Sequence, residues 1–519
     1  MKNILKSQLK WIIAAWIFVI PAIQGQTATG SAGATAAGTP VQSSHEQTPS
    51  SQDQSPPVAT QSQSAQNGSN ADEVTKALVA HGAPPQGGGD STPAQRLTDS
   101  APQDPPRFSP AGALNDRLPK WLRFDGEYRA RLEAGLTGKL FHANTSDTYF
   151  LNRFRFGVTV RPSNWLKFYA QGVDARAFDK NPPETNGFYD RFDLRLAYME
   201  VGDTEKGTLA LRAGRQGFYF GDGRLVAESL WSFPGARAFD AVRLTARHKG
   251  YRLDAFASSP TRINPDGFTE PSFGNNLHGL YGGIEKLIPQ AVVEPYVFWR
   301  IGALVTGEDA IKGGLNFKTY GFRWVGKLPA GFDYATEVAF ERGKVADSDF
   351  NAWAGHWVLG HTWKSRFKPR FFAEYNYATG DNKPKDGTVE TFNVLYPSTH
   401  LKWGETDQVG WSNIHDVRGG FEIVPARNWT ASTNYHSYWL ANVHDGLYTA
   451  SGSVAIPRVS AGTAGRWVGQ EADVQASRKF HNGLELGAGV GHIFPGTFIR
   501  LAASGNGYTY PYVMTIYKF

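Results

Sequence analysis

A chain of 519 residues without cysteine excludes disulfide frameworks, thiolate chemistry and anchoring through a lipidated N-terminal cysteine. Glycine (57) and aromatic residues (13%) are abundant, and methionine (3) is scarce. The formal charge of +6 is mild for this length, and no stacking or groove-reading motif accompanies it, so no nucleic-acid partner is expected.

The first elements are not structural. Lys2, Lys6 and Lys10 precede the apolar run "WIIAAWIFVI", which Pro21 breaks and small residues follow. This predicts a secretory signal over residues 1–25, the run being shorter than the ~20 residues a spanning helix needs. No second long apolar stretch follows, so a membrane form of the mature chain must be a closed β-barrel. Residues 26–119 are rich in Ser, Gln, Thr, Ala, Gly and Pro, as in "SAGATAAGTPVQSSHEQTPSSQDQSPP", and predict a disordered tail. Only "ADEVTKALVAHG" within it has the makings of a brief helix.

From Trp121 onward strand-like alternation runs to the last residue. In "RFRFGVTVR" Phe154, Phe156, Val158 and Val160 share one face, and Arg153, Arg155, Gly157, Thr159 and Arg161 the other. "RFDLRLAY" sets Phe192, Leu194, Leu196 and Tyr198 against Arg191, Asp193, Arg195 and Ala197. "DAVRLTAR" sets Val242, Leu244 and Ala246 against Arg243, Thr245 and Arg247, and "VRGGFEIV" sets Val417, Phe421 and Ile423 against Arg418 and Glu422. The polar faces are repeatedly charged, unlike those of a soluble sandwich. Thirteen of the fifteen tryptophans follow residue 120, and Trp165, Trp299, Trp324, Trp429 and Trp439 sit near strand ends, where aromatic girdles meet a lipid interface.

The chain closes on "YVMTIYKF". Counting back in twos from Phe519 gives Tyr517, Thr515 and Val513, one lipid-facing row ending in two aromatics. Phe519 is therefore expected at the interface and as a signal read by the barrel-assembly machinery. About 22 residues per strand and connection, and an even count, predict an all-β, single transmembrane antiparallel up-and-down barrel of about 18 strands over residues 120–519, with 16 as the alternative. The predicted location is the outer membrane of a Gram-negative-type envelope.

Four long stretches carry a resemblance. They are "AGRQGFYFGDGRLVAESLWSFPGARAFDAVRL" (213–244), "EYNYATGDNKPKDGTVETFNVLYPSTH" (374–400), "YHSYWLANVHDGLYTASG" (435–452) and "GQEADVQASRKFHNGLELGAGVGHIFPG" (469–496). Together they resemble the bacterial alginate-export barrels across residues 120–519. The resemblance implies an 18-stranded outer-membrane porin whose basic lumen passes an anionic polysaccharide. The long tail is not part of that pattern.

A channel needs a wet lumen of suitable charge and no catalytic group. Guanidinium groups attract uronate carboxylates and bond them in bidentate fashion. Strand parity names the lumen candidates: Arg153, Arg155, Arg161, Lys167, Arg191, Arg195, Arg212, Arg243, Arg247, Arg323 and Arg418, with Asp193 to steady neighbouring arginines. Arg215 stands in the "GRQ" stretch, where the resemblance implies a pore arginine, whereas alternation from Leu209 and Leu211 places it outward. Arginines solvating the interior, or binding lipopolysaccharide phosphates at a rim, are the plainer alternative. Excluding signal and tail, the barrel carries about +7, so selectivity would depend on where charge is focused.

Weaker signals have plain readings. Asp381, Asn382 and Asp386 in "TGDNKPKDG" are weak calcium candidates in a stretch that also reads as a turn. "GDG" at 221–223 reads as a tight turn. No G-x-S-x-G nucleophile motif occurs. The predicted function is a passive, cofactor-free channel for an anionic saccharide such as alginate, not an enzyme. The alternatives are a general or small-anion porin and a structural or surface-interaction barrel with an occluded pore. The expected partners are the saccharide, outer-membrane lipids including lipopolysaccharide, the assembly machinery and periplasmic proteins, around a monomeric barrel.

Overall fold

The computed structural model describes residues 110–519 except 137–140, 143–145, 181–187, 230, 232, 234–236, 266, 309, 401 and 481–482. The signal expected at 1–25, the brief helix of "ADEVTKALVAHG" and the tail as far as residue 109 lie outside the described residues. The last part of the stretch expected to be disordered is structured. Helix α1 (Pro110–Asn115) leads to a clasp in which the Asn115 amide bonds both the N–H and the carbonyl of Phe124 at 2.8 Å.

Eighteen antiparallel strands close on themselves. In chain order they are β1 (Leu122–Gly135), β2 (Asp147–Ser163), β3 (Leu166–Phe178), β4 (Tyr189–Val201), β5 (Leu209–Gln216) and β6 (Phe239–His248). There follow β7 (Tyr251–Arg262), β8 (Asn276–Ile284), β9 (Ala291–Thr306), β10 (Lys312–Lys327), β11 (Phe332–Val345) and β12 (Ser348–Thr362). The last six are β13 (Arg370–Ala378), β14 (Ile414–Ile423), β15 (Trp429–Leu440), β16 (Trp467–Lys479), β17 (Leu484–Pro495) and β18 (Tyr508–Lys518). Each pairs with its neighbour in sequence. The seam joins β1 to β18 in a register running from Glu127↔Lys518 to Glu133↔Tyr512. A closed barrel leaves no row of backbone donors and acceptors open to lipid.

The period-two pattern fixes which side chains face out. Phe154 and Phe156 are exposed while Arg153 and Arg155 between them are buried. On β18 Val513 is exposed, and Tyr508, Tyr510, Tyr512, Met514 and Ile516 are buried on the opposite row. Phe519 stacks on Phe154 (6.4 Å) and Tyr517 (5.6 Å). Its ring fills a notch at Gly126, where a Cβ would come within 2.4 Å of it.

One oily row breaks. The β3–β4 register slips between Gln171 and Gly172 and again between Val173 and Ala175. Each extra residue changes the side toward which the following side chains point. Phe192 and Leu194 stay exposed, but Tyr198, expected on the same face, lies beside Arg212 (4.5 Å) and Lys167 (5.8 Å).

Short turns join the strands on the side of the β1–β18 seam where the barrel begins and ends. Longer loops occupy the other side. Two of these, residues 217–238 and 379–413, share a short backbone ladder: Ala227 N–H to Tyr396 O (2.9 Å), Tyr396 N–H to Leu225 O (2.8 Å) and Ser398 N–H to Gly223 O (2.8 Å). Their side chains enter the main buried cluster, where Phe218, Phe220 and Leu225 meet Phe256, Tyr281 and Phe298 of the wall. Trp403 and Trp411 join the same cluster. The loop 441–466 carries a small ribbon, Leu447–Tyr448 with Val454–Ile456, and α2 (Thr497–Ala502) caps the β17–β18 connection.

Candidate functional site: a charged interior crossed by two loops

The inner faces of β1 and β2 gather four guanidinium groups. Arg129 stands opposite Arg153 in the strand register, and Glu127 opposite Arg155. Like charges directly across a strand pair repel. Glu127 relieves this by bridging Arg153 at 2.6 Å and Arg155 at 3.9 Å, and Arg131 pairs with Glu133.

The 217–238 loop lies against this wall and reaches the opposite one. At one end the Trp231 carbonyl accepts from Arg129 Nη2 (2.9 Å), and the Arg131 guanidinium lies 3.8 Å over the Trp231 ring. The indole stacks on His400 of the other loop at 4.3 Å and 12°. Glu228 pairs with Arg195 of β4. At the other end Arg224 bonds Glu374 of β13 at 3.0 Å and Asn376 at 3.3 Å. Between them Asp222 takes Arg323 of β10 at 2.6 Å, and Arg323 also pairs with Glu294. Gly221 (φ 56) and Gly223 (φ 71) form the tight turn that presents Asp222. A Cβ on Gly221 would come within 2.9 Å of Arg323 Cδ and of the Tyr281 hydroxyl.

Titration in the loops follows from burial. Burial pushes the Lys402 ammonium down to about 7, and Arg224 nearby lowers it further. Burial likewise lifts Glu405 to about 7 and lowers His400 to about 4, with the charges of these two neighbours opposing both shifts. His400 therefore stays neutral at neutral pH. Asp407, buried beside other carboxylates, is held well above the usual carboxylate range.

The structure places the residues named from sequence as follows. Arg153, Arg155, Arg195, Arg243, Arg323 and Arg418 are buried on inward rows. Each stands within an ion pair: Arg243 with Asp254 (2.9 Å) and Arg418 with Glu374 (3.1 Å), besides those above. Lys167 and Arg212 converge on Glu200, each at 2.6 Å. Arg247 holds the β4–β5 turn through the carbonyls of Thr204 and Gly207. Arg161 is exposed at the turn side, its backbone N–H bonded to Trp121 O.

Three placements differ from expectation. Arg191 leaves the inward row: the β4 bulge exposes it together with Phe192 (φ 47), over the Tyr189 ring at 5.4 Å. Arg215 follows parity rather than the motif. It pairs with Asp240, which alternates with buried Phe239 and Ala241 (2.8 Å), and donates to the Thr269 carbonyl (2.8 Å). Among the described residues Asp193 pairs with no arginine; it accepts the Thr269 N–H at 3.0 Å, so Asp193 and Arg215 together clasp the loop at Thr269.

The calcium candidates do not converge. Asp381 accepts from Arg458 (3.3 Å) and the Lys383 N–H, Asn382 from the Asn442 amide, and Asp386 from the Thr388 N–H. Among the described residues no His, Asp or Glu group is arranged to hold a metal ion.

Sequence reasoning missed Arg129 and Arg131, although "EYRARLEAG" alternates as plainly as β2 does. It also missed Arg224, Trp231 and Lys402, which lie in aperiodic loops. The acidic far wall went unremarked: Asp333, Glu337, Glu341, Glu374, Asp416, Glu422, Glu471 and Asp473 are all buried on β11 to β16.

An 18-stranded closed barrel with a charged interior, short turns on one side and infolded loops on the other is an outer-membrane channel barrel. The family model described as alginate export matches residues 120–511, and the chain belongs to that family. No curated protein matches it. Among solved structures it is similar to Pseudomonas aeruginosa OccK9 (OpdG), with 13% identity, a TM-score of 0.53, and coverage of 77% of this chain and 98% of that one. Pseudomonas aeruginosa OpdO is similar at 10% identity and a TM-score of 0.52, covering 78% and 99%. OccD3 (OpdP) of the same organism gives 11% and 0.51, covering 78% and 92%. At such identities these likenesses establish the fold alone.

Proposed function

We propose that this barrel is a passive, non-enzymatic outer-membrane channel for an anionic saccharide, polymer or oligomer, of the uronate type that the family description names. One observation carries the reading: guanidinium groups of Arg129 and Arg153 face each other across neighbouring strands, with Arg131 and Arg155 beside them. The buried carboxylates Glu127 and Glu133 offset only part of these four positive charges, and the remaining excess complements an arriving carboxylate. Affinity spread over several arginines keeps each contact weak, as passage requires.

Planar-bilayer recording of the purified barrel tests this. Alginate oligomers should block the current at low concentration, and the Arg153→Ser/Arg155→Ser/Arg195→Ser variant should lose anion preference in its reversal potential while still assembling. A general small-anion porin would keep its preference but ignore the oligomer. Cation preference in the unaltered protein, or unchanged selectivity in the variant, overturns the arginine reading.

A second reading is favoured by the infolded loops. Trp231, Trp403 and Arg224 are fully buried inside the barrel, as expected of an occluded or gated pore. Absence of conductance, even after deletion of residues 26–109, would decide for it.

A further inference from the structure

The outer surface carries a feature unrelated to the bore. On the lipid-facing side of β6 to β10 there is a groove of about 560 Å³. Its floor is β7, where the outward positions are the small residues Ala255 and Ala257. The strand register sets Leu244 of β6 and Leu280 of β8 on either side of Ala255. Bulky neighbours flanking two alanines make a trough along one strand.

One end of the groove is polar. Trp299 and Lys318 are register partners on β9 and β10, and both line it. The indole N–H bonds Asn316 Oδ1 at 2.7 Å, which fixes the ring, and its edge meets His278 at 5.9 Å. The Lys318 ammonium lies 5.5 Å from the indole centroid, and among the described residues no carboxylate pairs with it. Next in register comes Arg342 of β11, a second outward cation.

The aromatic girdle gives the depth. Tyr320, Phe340, Trp353 and Tyr377 stack in succession across β10 to β13, at 6.1, 6.4 and 4.6 Å. Such belts lie at the membrane–water interface. Lys318 is two residues from Tyr320 on the same face of β10, toward the loop side. It therefore stands on the headgroup side of the girdle in the outer leaflet. An unpaired ammonium there, above an apolar trough, complements an anion carrying an acyl chain.

We propose that this groove is a binding site for a phosphate-bearing lipid of the outer leaflet, one acyl chain lying along Ala255 and Ala257 and the phosphate against Lys318. Trp299 separates the two halves and orders the glycerol or sugar between them. The inference does not depend on what passes through the bore.

Native mass spectrometry of the full chain, released from phosphatidylcholine vesicles doped with phosphatidic acid, is the test. The unaltered protein should retain phosphatidic acid several-fold over its share of the mixture. Lys318→Gln should reduce that enrichment at least threefold. Ala257→Trp should fill the trough and remove retained lipid of either kind. Since both sites face outward, each variant should keep the heat-sensitive electrophoretic mobility of a folded barrel and unchanged conductance. Equal retention of the two lipids by the unaltered protein, or enrichment unaffected by Lys318→Gln, overturns the proposal. So would full retention in Ala257→Trp.

Discussion

The two walls of the bore are built from the same strand geometry and differ in charge balance, one mixed with a basic excess and the other mostly acidic. On β1 to β6 the buried Arg129, Arg131, Arg153, Arg155, Arg195 and Arg243 stand among the carboxylates Glu127, Glu133, Asp190, Asp193 and Glu200, and Lys167 and Arg212 tip this mixed wall to the basic side. On β11 to β16 the buried charges are mostly carboxylates, with Arg370 and Arg418 among them. The 217–238 loop is matched to both: its anion Glu228 meets the basic wall at Arg195, and its cation Arg224 meets the acidic wall at Glu374. A barrel with evenly mixed walls would hold such a loop anywhere. Polarised walls hold it in one orientation, which makes the loop a strap rather than a plug.

The strongest way to break this picture is at the acidic wall. Arg224→Glu places two carboxylates in a buried site and should cost about 3–5 kcal/mol of strap docking, the scale for breaking a buried pair. Single-channel conductance should rise several-fold, and an unchanged conductance would mean that the strap does not constrict the bore. Glu228→Gln at the basic wall should act in the same direction but by roughly 1–3 kcal/mol, since only one charge is lost and the Glu228 side chain is 16% exposed. Equal effects at the two ends would remove the distinction between the walls.

Lys402 sharpens the comparison through pH. Burial holds its ammonium at about 7, below the ordinary lysine value of 10.5. Docking stability contributed by the neutral amine is therefore present at alkaline pH and falls as pH drops from 10.5 through about 7. Below that the site gains a positive charge. Anion preference in the reversal potential should be higher at about pH 6 than at about pH 8. Lys402→Arg, charged throughout, should flatten the profile; a flat profile in the unaltered protein would remove Lys402 from the conduction path.

The smallest effect belongs to the seam. Phe519→Ala removes ring contacts to Phe154 and Tyr517, worth ~0.5–1.5 kcal/mol each, and should lower the thermal midpoint while leaving conductance as it was. A conductance change in that variant would show that the barrel's circumference, not its walls, governs flow.

Most of the barrel was legible because one rule, alternation, governs both hydrogen-bonded register and lipid contact. The outward row of β18 and the inward arginines of β2, β6, β10 and β14 follow from it, and the strand count from the length of chain that each strand and connection consumes. The rule fails where a residue is inserted, and nothing in "RFDLRLAY" marks the bulges that expose Arg191 and bring Tyr198 beside Arg212. It is silent in loops. Asp222, Arg224 and Glu228 occur in a stretch with no period, and their partners Arg323, Glu374 and Arg195 lie far off in the chain, so no local signal pairs them. The Arg215 case shows which argument to prefer when motif and parity disagree at a strand end: Leu209 and Leu211 pointed the right way.

Because the strap is fastened at opposite shores of the bore, losing one fastening leaves a hinged flap and not an open hole. A variant lacking the Arg224 fastening would then open the bore only in part, because Glu228 on Arg195 and Asp222 on Arg323 still hold the loop.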